Sequence, residues 1–177
     1  MFSLPDTTTI KVGNADVLIA VYSPHKQATS KFIAANLNKL LQGSKDYLGG
    51  KLPVDKYAFI YYFNGEQKKL AITGAWEHSY SSFYSLNEST EKEIIENVVD
   101  ISSHEFFHIV TPLTISSREV KEFNFNETVL SKHLWLYEGS TEYTAHHVQV
   151  WSSIKTPEQF QATLSQKIDY SRSYFKD

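Results

Sequence analysis

The residues whose types and spacing point most directly to chemistry are His104-Glu105-Phe106-Phe107-His108, an H-E-x-x-H inside a segment with helical patterning. Two histidines four apart on a helix project from the same side, so both imidazoles can reach one divalent metal ion. Glu105 sits about a hundred degrees round from His104, close enough to act on a water without taking a ligand position. The chemistry such a trio serves is metal-assisted hydrolysis. A pattern this short also arises by chance, so its surroundings have to fit as well.

A catalytic zinc usually keeps three protein ligands and one open position. The next helical segment offers Glu138, His133, Glu142 and His146. Glu138 lies on a stripe with Leu134, Thr141 and Ala145, the side expected to face the first helix. His133 is about 140 degrees away from it, so the two cannot both face the metal. Glu138 is therefore the favoured third ligand, with the other three as alternatives. Gly139 costs about 1 kcal/mol of helix propensity relative to Ala, which implies a close approach by another backbone or a substrate. Glu142, one turn on, either accepts the second ring N–H of a ligand histidine or is a surface carboxylate.

These side chains need elements to position them. Residues 16–22 are apolar and β-branched, a strand expected to pair with 8–12 across Gly13-Asn14 and to end at Pro24. From Gln27 to about Tyr47, Phe32, Ile33, Leu37, Leu40 and Leu41 recur at helical spacing, and Gly49-Gly50 closes the segment. Residues 57–63 and 70–73 read as two strands, and Asn64-Gly65-Glu66-Gln67 between them reads as a hairpin. Residues 74–88 read as irregular. Thr90 with Glu93 forms a capping box that opens a helix to about Ile109, buried along Ile94, Ile95, Val98, Val99 and Ile101 and stopped by Pro112. After a loop over 112–126, a second helix is expected from about Glu127 to Trp151, with Leu130, Leu134, Tyr137 and Ala145 along one stripe. A final helix starts at Thr156-Pro157-Glu158, where Pro suits the first turn. The sum is an α+β fold: a small mixed sheet over about 8–73, a loop over 74–88, site-bearing helices over about 90–151 and a last helix over about 156–175, without an internal linker or repeat.

Bulk properties narrow the partners. With 177 residues, 41% hydrophobic and 21% charged, the chain has the make-up of one globular domain, neither disordered nor membrane-spanning. A net charge of -3 gives no basic footprint for nucleic acid. There is no cysteine, which excludes disulfides and thiolate metal sites and leaves the compartment open. The opening Met1-Phe2-Ser3-Leu4-Pro5-Asp6 has neither the basic nor the apolar region of a signal peptide.

Taken together, H-E-F-F-H at 104–108, Pro112, L-W-L-Y-E-G-S-T-E-Y at 134–143 and G-A-W-E-H at 74–78 resemble the glycyl-aminopeptidase family of gluzincin metallopeptidases. The spacing from His108 to Glu138 is long for thermolysin but suits this family, and G-A-W-E-H resembles the G-G-x-E-H that precedes the zinc helix there. The resemblance covers 74–143; the first seventy residues add only compatible elements.

The resemblance implies a thermolysin-like (zincin) catalytic domain, of which this chain is the upper lobe. It places that domain between an N-terminal β-domain and a C-terminal lobe with a PDZ domain. It implies Zn2+ as cofactor, His104, His108 and Glu138 as ligands, Glu105 as general base, and a peptide with a free N-terminus, often glycine or alanine, as substrate. Glu77 would hold the substrate's α-amino group, a charge-assisted bond between natural partners, and Gly74 and Ala75 would leave room for its backbone. His78 reads as a hydrogen-bonded loop histidine. The family's oxyanion-stabilising Tyr or His lies far beyond the third ligand, whereas Tyr170 and Tyr174 sit in a helical pattern and read as packing residues. The implied enzyme is a zinc aminopeptidase fragment, weak or inactive alone; the alternatives are a zinc endopeptidase and a catalytically incomplete zinc-binding scaffold.

Overall fold

Two neighbouring, almost continuously apolar segments build the centre of a five-stranded sheet. In β2 (Ala15–Tyr22), Val17, Ile19 and Val21 point inward, and in β3 (Lys56–Asn64), Tyr57, Phe59, Tyr61 and Phe63 do the same. The computed structural model describes residues 4–65 and 73–173. Its remaining elements are β1 (Asp6–Val12), α1 (Ser30–Tyr47), β4 (Gly74–His78), β5 (Ser81–Asn87), α2 (Glu91–Phe107), α3 (Arg118–Lys121), α4 (Leu134–Trp151) and α5 (Pro157–Ser173). Strand order is β1-β2-β3-β5-β4, with β1 and β4 antiparallel to their neighbours and the central pairings parallel. The architecture is the expected mixture of helices with a small mixed sheet.

Helices α1 and α2 cover the inner face, where ring stacking gives the core its form. Tyr61 and Tyr84 stack at 4.5 Å, and Phe106 of α2 meets Tyr57 edge-on at 5.1 Å. The buried hydroxyls are satisfied by α2: Tyr61 pairs with Ser102 Oγ at 2.6 Å, and Tyr57 donates to the Glu105 carbonyl at 3.2 Å. These bonds pin the helix carrying the H-E-x-x-H to the sheet. Phe106→Ala should therefore cost about 3–5 kcal/mol of stability, measured by urea denaturation; a loss under about 1 kcal/mol would show that the ring is not a keystone.

Local signals set the helix ends. Thr29 caps α1 by accepting from Phe32 N–H, so α1 starts three residues later than its apolar spacing implies. The Thr90–Glu93 capping box is present in full. Helix α2 stops at Phe107, and His108 is its C-cap.

Four expectations need correction. Residues 74–88 are not irregular: they form β4 and β5, because Ser82 and Tyr84 point inward and satisfy each other at 2.7 Å while Phe83 points outward. The hairpin between 57–63 and 70–73 does not form around β3, because parallel β2 and β5 occupy its two edges; residues 66–72 lie outside the described residues. Helix α4 begins at Leu134 rather than near 127, since Val129 and Leu130 are 63% and 70% exposed and have no surface to bury against. Tyr170 is exposed on α5 and is not a core residue, and Tyr174 lies outside the described residues. Within 112–126 the loop contains the short α3. No described helix is long and apolar enough to cross a membrane.

Candidate metal centre

The last turn of α2 and the first turns of α4 lie side by side. Small polar residues allow this approach: Ser103 donates to the Ala145 carbonyl at 2.8 Å, and Thr111 and Thr141 hydroxyls meet at 3.0 Å. The closeness brings His104, His108 and Glu138 together, with one candidate donor atom from each lying within 4.8 Å of the other two. Glu138 Oε2 is 3.3 Å from His104 Nε2 and 3.9 Å from His108 Nε2.

Zinc bonds of about 2.0–2.1 Å in a tetrahedron place donor atoms roughly 3.3 Å apart, so this set fits a zinc ion with small rotamer changes. The far side of each ring agrees. His104 Nδ1 is 2.6 Å from Glu142 Oε2, and His108 Nδ1 donates to the Thr111 carbonyl at 2.8 Å. With both Nδ1 atoms used as donors, both Nε2 atoms can present lone pairs to the common point.

Glu105, 8% exposed, lies beside this point without joining the donor set. Together with Ala75, Glu77 and Pro112, these residues line a cleft of about 250 Å³. The Glu77 backbone N–H donates to the Glu105 carboxylate, tying β4 to the centre. Burial raises the Glu105 pKa, the nearby His104 opposes that rise, and the Glu138 charge adds to it. Burial also carries Glu77 up to about 7, against the N–H of Tyr80 at 3.2 Å and with help from the Glu105 charge. For His104, burial alone would lower the pKa, yet hydrogen bonds to Glu138 and Glu142 carry it up to about 9. His108 is lowered by burial. Glu138 and Glu142 both fall, each chiefly through its hydrogen bond with His104.

Other candidates lie apart. His133 is the N-cap of α4 with its ring near Tyr137, and His78 sits between Trp76 and Phe125 at the end of β4. His146 touches Glu142 rather than the three donors. Gly74 and Ala75 start β4, whose outer edge has no strand beside it among the described residues. A Cβ at Gly139 would meet nothing within 4 Å, so no neighbouring backbone among the described residues requires that glycine. Sequence reasoning did not find Lys167 of α5, which pairs with Glu142. It also did not join His146 to Glu142, although their i, i+4 spacing signals the contact.

The family described as M61 glycyl aminopeptidase matches residues 97–175, a stretch containing His104, Glu105, His108, Glu138 and Glu142. Residues 97–175, less than half of the chain, are similar to that family. The matched segment spans α2 from its middle through α5, so β4 and Glu77 lie outside the match. A solved aminopeptidase N family protein from Idiomarina loihiensis superposes with a TM-score of 0.72 at 17% identity, covering 88% of this chain and 27% of that one. At that identity the likeness is one of fold, and the chain spans about a quarter of that relative's length. No curated protein matches the chain.

Proposed function

We propose that the chain is the metal-bearing part of a zinc-dependent aminopeptidase, folded as the upper lobe of a thermolysin-like catalytic domain. The observation that carries this reading is the convergence of His104, His108 and Glu138 on one point with both imidazoles anchored through Nδ1. Bound there, a zinc ion supplies a Lewis acid that polarises the scissile carbonyl and acidifies water.

The chain's own residues do the rest. Glu105 takes the proton of the attacking water and passes it to the leaving amine. The substrate backbone lies along the free edge of β4 at Gly74 and Ala75, extending the sheet by one strand. Glu77, on the same strand, receives the α-ammonium group and thereby fixes which peptide bond meets Glu105. A glycine or alanine preference, an N-terminal β-domain, and a C-terminal lobe with a PDZ domain belong to this reading through the family likeness.

Glu77→Gln tests it on glycyl and alanyl amides, in a protein that adds the C-terminal lobe to this chain. Losing one charge-assisted bond, about 1.5–3 kcal/mol, should raise KM by roughly 10- to 100-fold for free-amine substrates. N-blocked peptides should be unaffected. An endopeptidase would treat both substrates alike in the variant. The wild type should also show an acid limb in kcat/KM at or below about pH 7, where Glu77 takes up a proton and loses its charge, and the variant should lack that limb. A catalytically incomplete scaffold would show no turnover in either protein, and the retained Glu105 speaks against it.

A further inference from the structure

Glu142 has two oxygens, and only one faces the candidate metal centre. Oε2 holds His104 Nδ1 at 2.6 Å, while Oε1 is taken by His146 Nε2 at 3.1 Å and by Lys167 Nζ. That second oxygen opens onto a cleft of about 910 Å³ behind the centre, bordered by Asn97, Asp100 and Gln166. Lys167 comes from α5, a helix without a fully buried residue, which places Phe160 against Tyr143 and His147 of α4.

We infer that Lys167 and His146 are positioning residues for the metal centre: they clamp Oε1 of Glu142 so that Oε2 keeps His104 in ligand orientation, and α5 thereby sets metal affinity. The inference rests on His104 being a metal ligand.

Two observations separate this from an ordinary surface ion pair, which contributes little. His146 is 8% exposed in its side chain, and its Nδ1 is buried without a hydrogen-bond partner among the described residues. Leaving a buried ring nitrogen unpaired is unfavourable, so the ring is held there for the bond its other nitrogen makes to Glu142. The same carboxylate joins three cationic or donor side chains from α2, α4 and α5, a network rather than a pair. With Oε1 released into an open cleft, the Glu142 carboxylate is free to turn away from His104.

Charge and orientation predict opposite signs. The Lys167 ammonium repels a divalent cation, so by charge alone Lys167→Met would tighten metal binding. By orientation it weakens it. Removing an outer-shell partner typically lowers metal affinity by about 10- to 100-fold, and a residue one contact further out should give roughly 3- to 10-fold.

The test is zinc affinity by competition with a chromophoric chelator, in the whole chain. Lys167→Met and His146→Phe should each bind zinc more weakly than wild type, and Lys167→Arg should restore it. In a Glu142→Gln background Lys167→Met should have no further effect, the non-additivity expected of one network. A readout without zinc is the imidazole N–H proton of His104, which should exchange faster in Lys167→Met. Circular dichroism and urea curves on Lys167→Arg show whether the fold is kept. Equal or tighter zinc binding by Lys167→Met, or additive effects with Glu142→Gln, overturns the clamp while leaving the metal site intact. If the wild-type chain binds no zinc, the metal reading itself fails, and this inference with it.

Discussion

Glu105→Gln is expected to lower kcat/KM on glycyl amides by about 10²- to 10⁴-fold, the usual worth of a positioned acid–base group, with zinc content unchanged. The substitution is close to isosteric and leaves the rest of the local structure in place. The Glu105 carbonyl still accepts from Tyr57, and the side chain is not among the three converging donors. What changes is that an amide takes no proton from water. The residue is 8% exposed in a cleft walled by Glu77 and Glu138, so bulk water is a poor substitute for it. Its raised pKa, chiefly from burial, marks a stronger base than an exposed glutamate. Zinc content by elemental analysis and turnover on the same protein preparation give the answer. Activity within about threefold of wild type, at full zinc loading, would remove Glu105 from the reaction.

The parts of this site written in local spacing were legible before the fold was known. The H-E-x-x-H puts two rings on one face, the Thr90–Glu93 box fixes the start of their helix, and Glu142 lies one turn from Glu138. Non-local pairing was less legible. Asn64-Gly65 carries the dipeptide of a tight hairpin, yet β3 already has parallel neighbours on both sides, and a local turn signal says nothing about which edges are free. Strand β5 inverts the usual pattern, since Ser82 goes inside on the strength of a bond to the Tyr84 hydroxyl while Phe83 stays out. Val129 and Leu130 continue an apolar helical stripe but lack an opposing surface, so the stripe overstates α4. Lys167 had no sequence signature: a lysine on an exposed helix looks the same whether it faces water or the back of a carboxylate.

The second large effect falls on the metal. Glu138→Ala should reduce zinc from about one per chain to near none after dialysis, because it removes a whole ligand, a greater loss than the 10- to 100-fold attached to outer-shell partners. The variant should also change how binding depends on pH. In the zinc-free chain His104 holds protons on both nitrogens, between Glu142 at 2.6 Å and Glu138 at 3.3 Å, and its pKa stands at about 9. Binding at neutral pH must therefore expel the Nε2 proton, so wild-type affinity should climb about tenfold per pH unit and level off near pH 9, as proton competition requires. The direction follows from the protons bound: the zinc-free state carries one more, so raising pH favours the zinc-bound state. Without Glu138 the bond that kept that proton is gone and the His104 pKa falls. Whatever weak binding remains should then level off at lower pH. Calorimetry in buffers of different ionisation enthalpy counts the expelled proton directly. If Glu138→Ala retained zinc with the wild-type slope against pH, the carboxylate would be neither ligand nor proton partner, and the third donor would have to come from elsewhere in the chain.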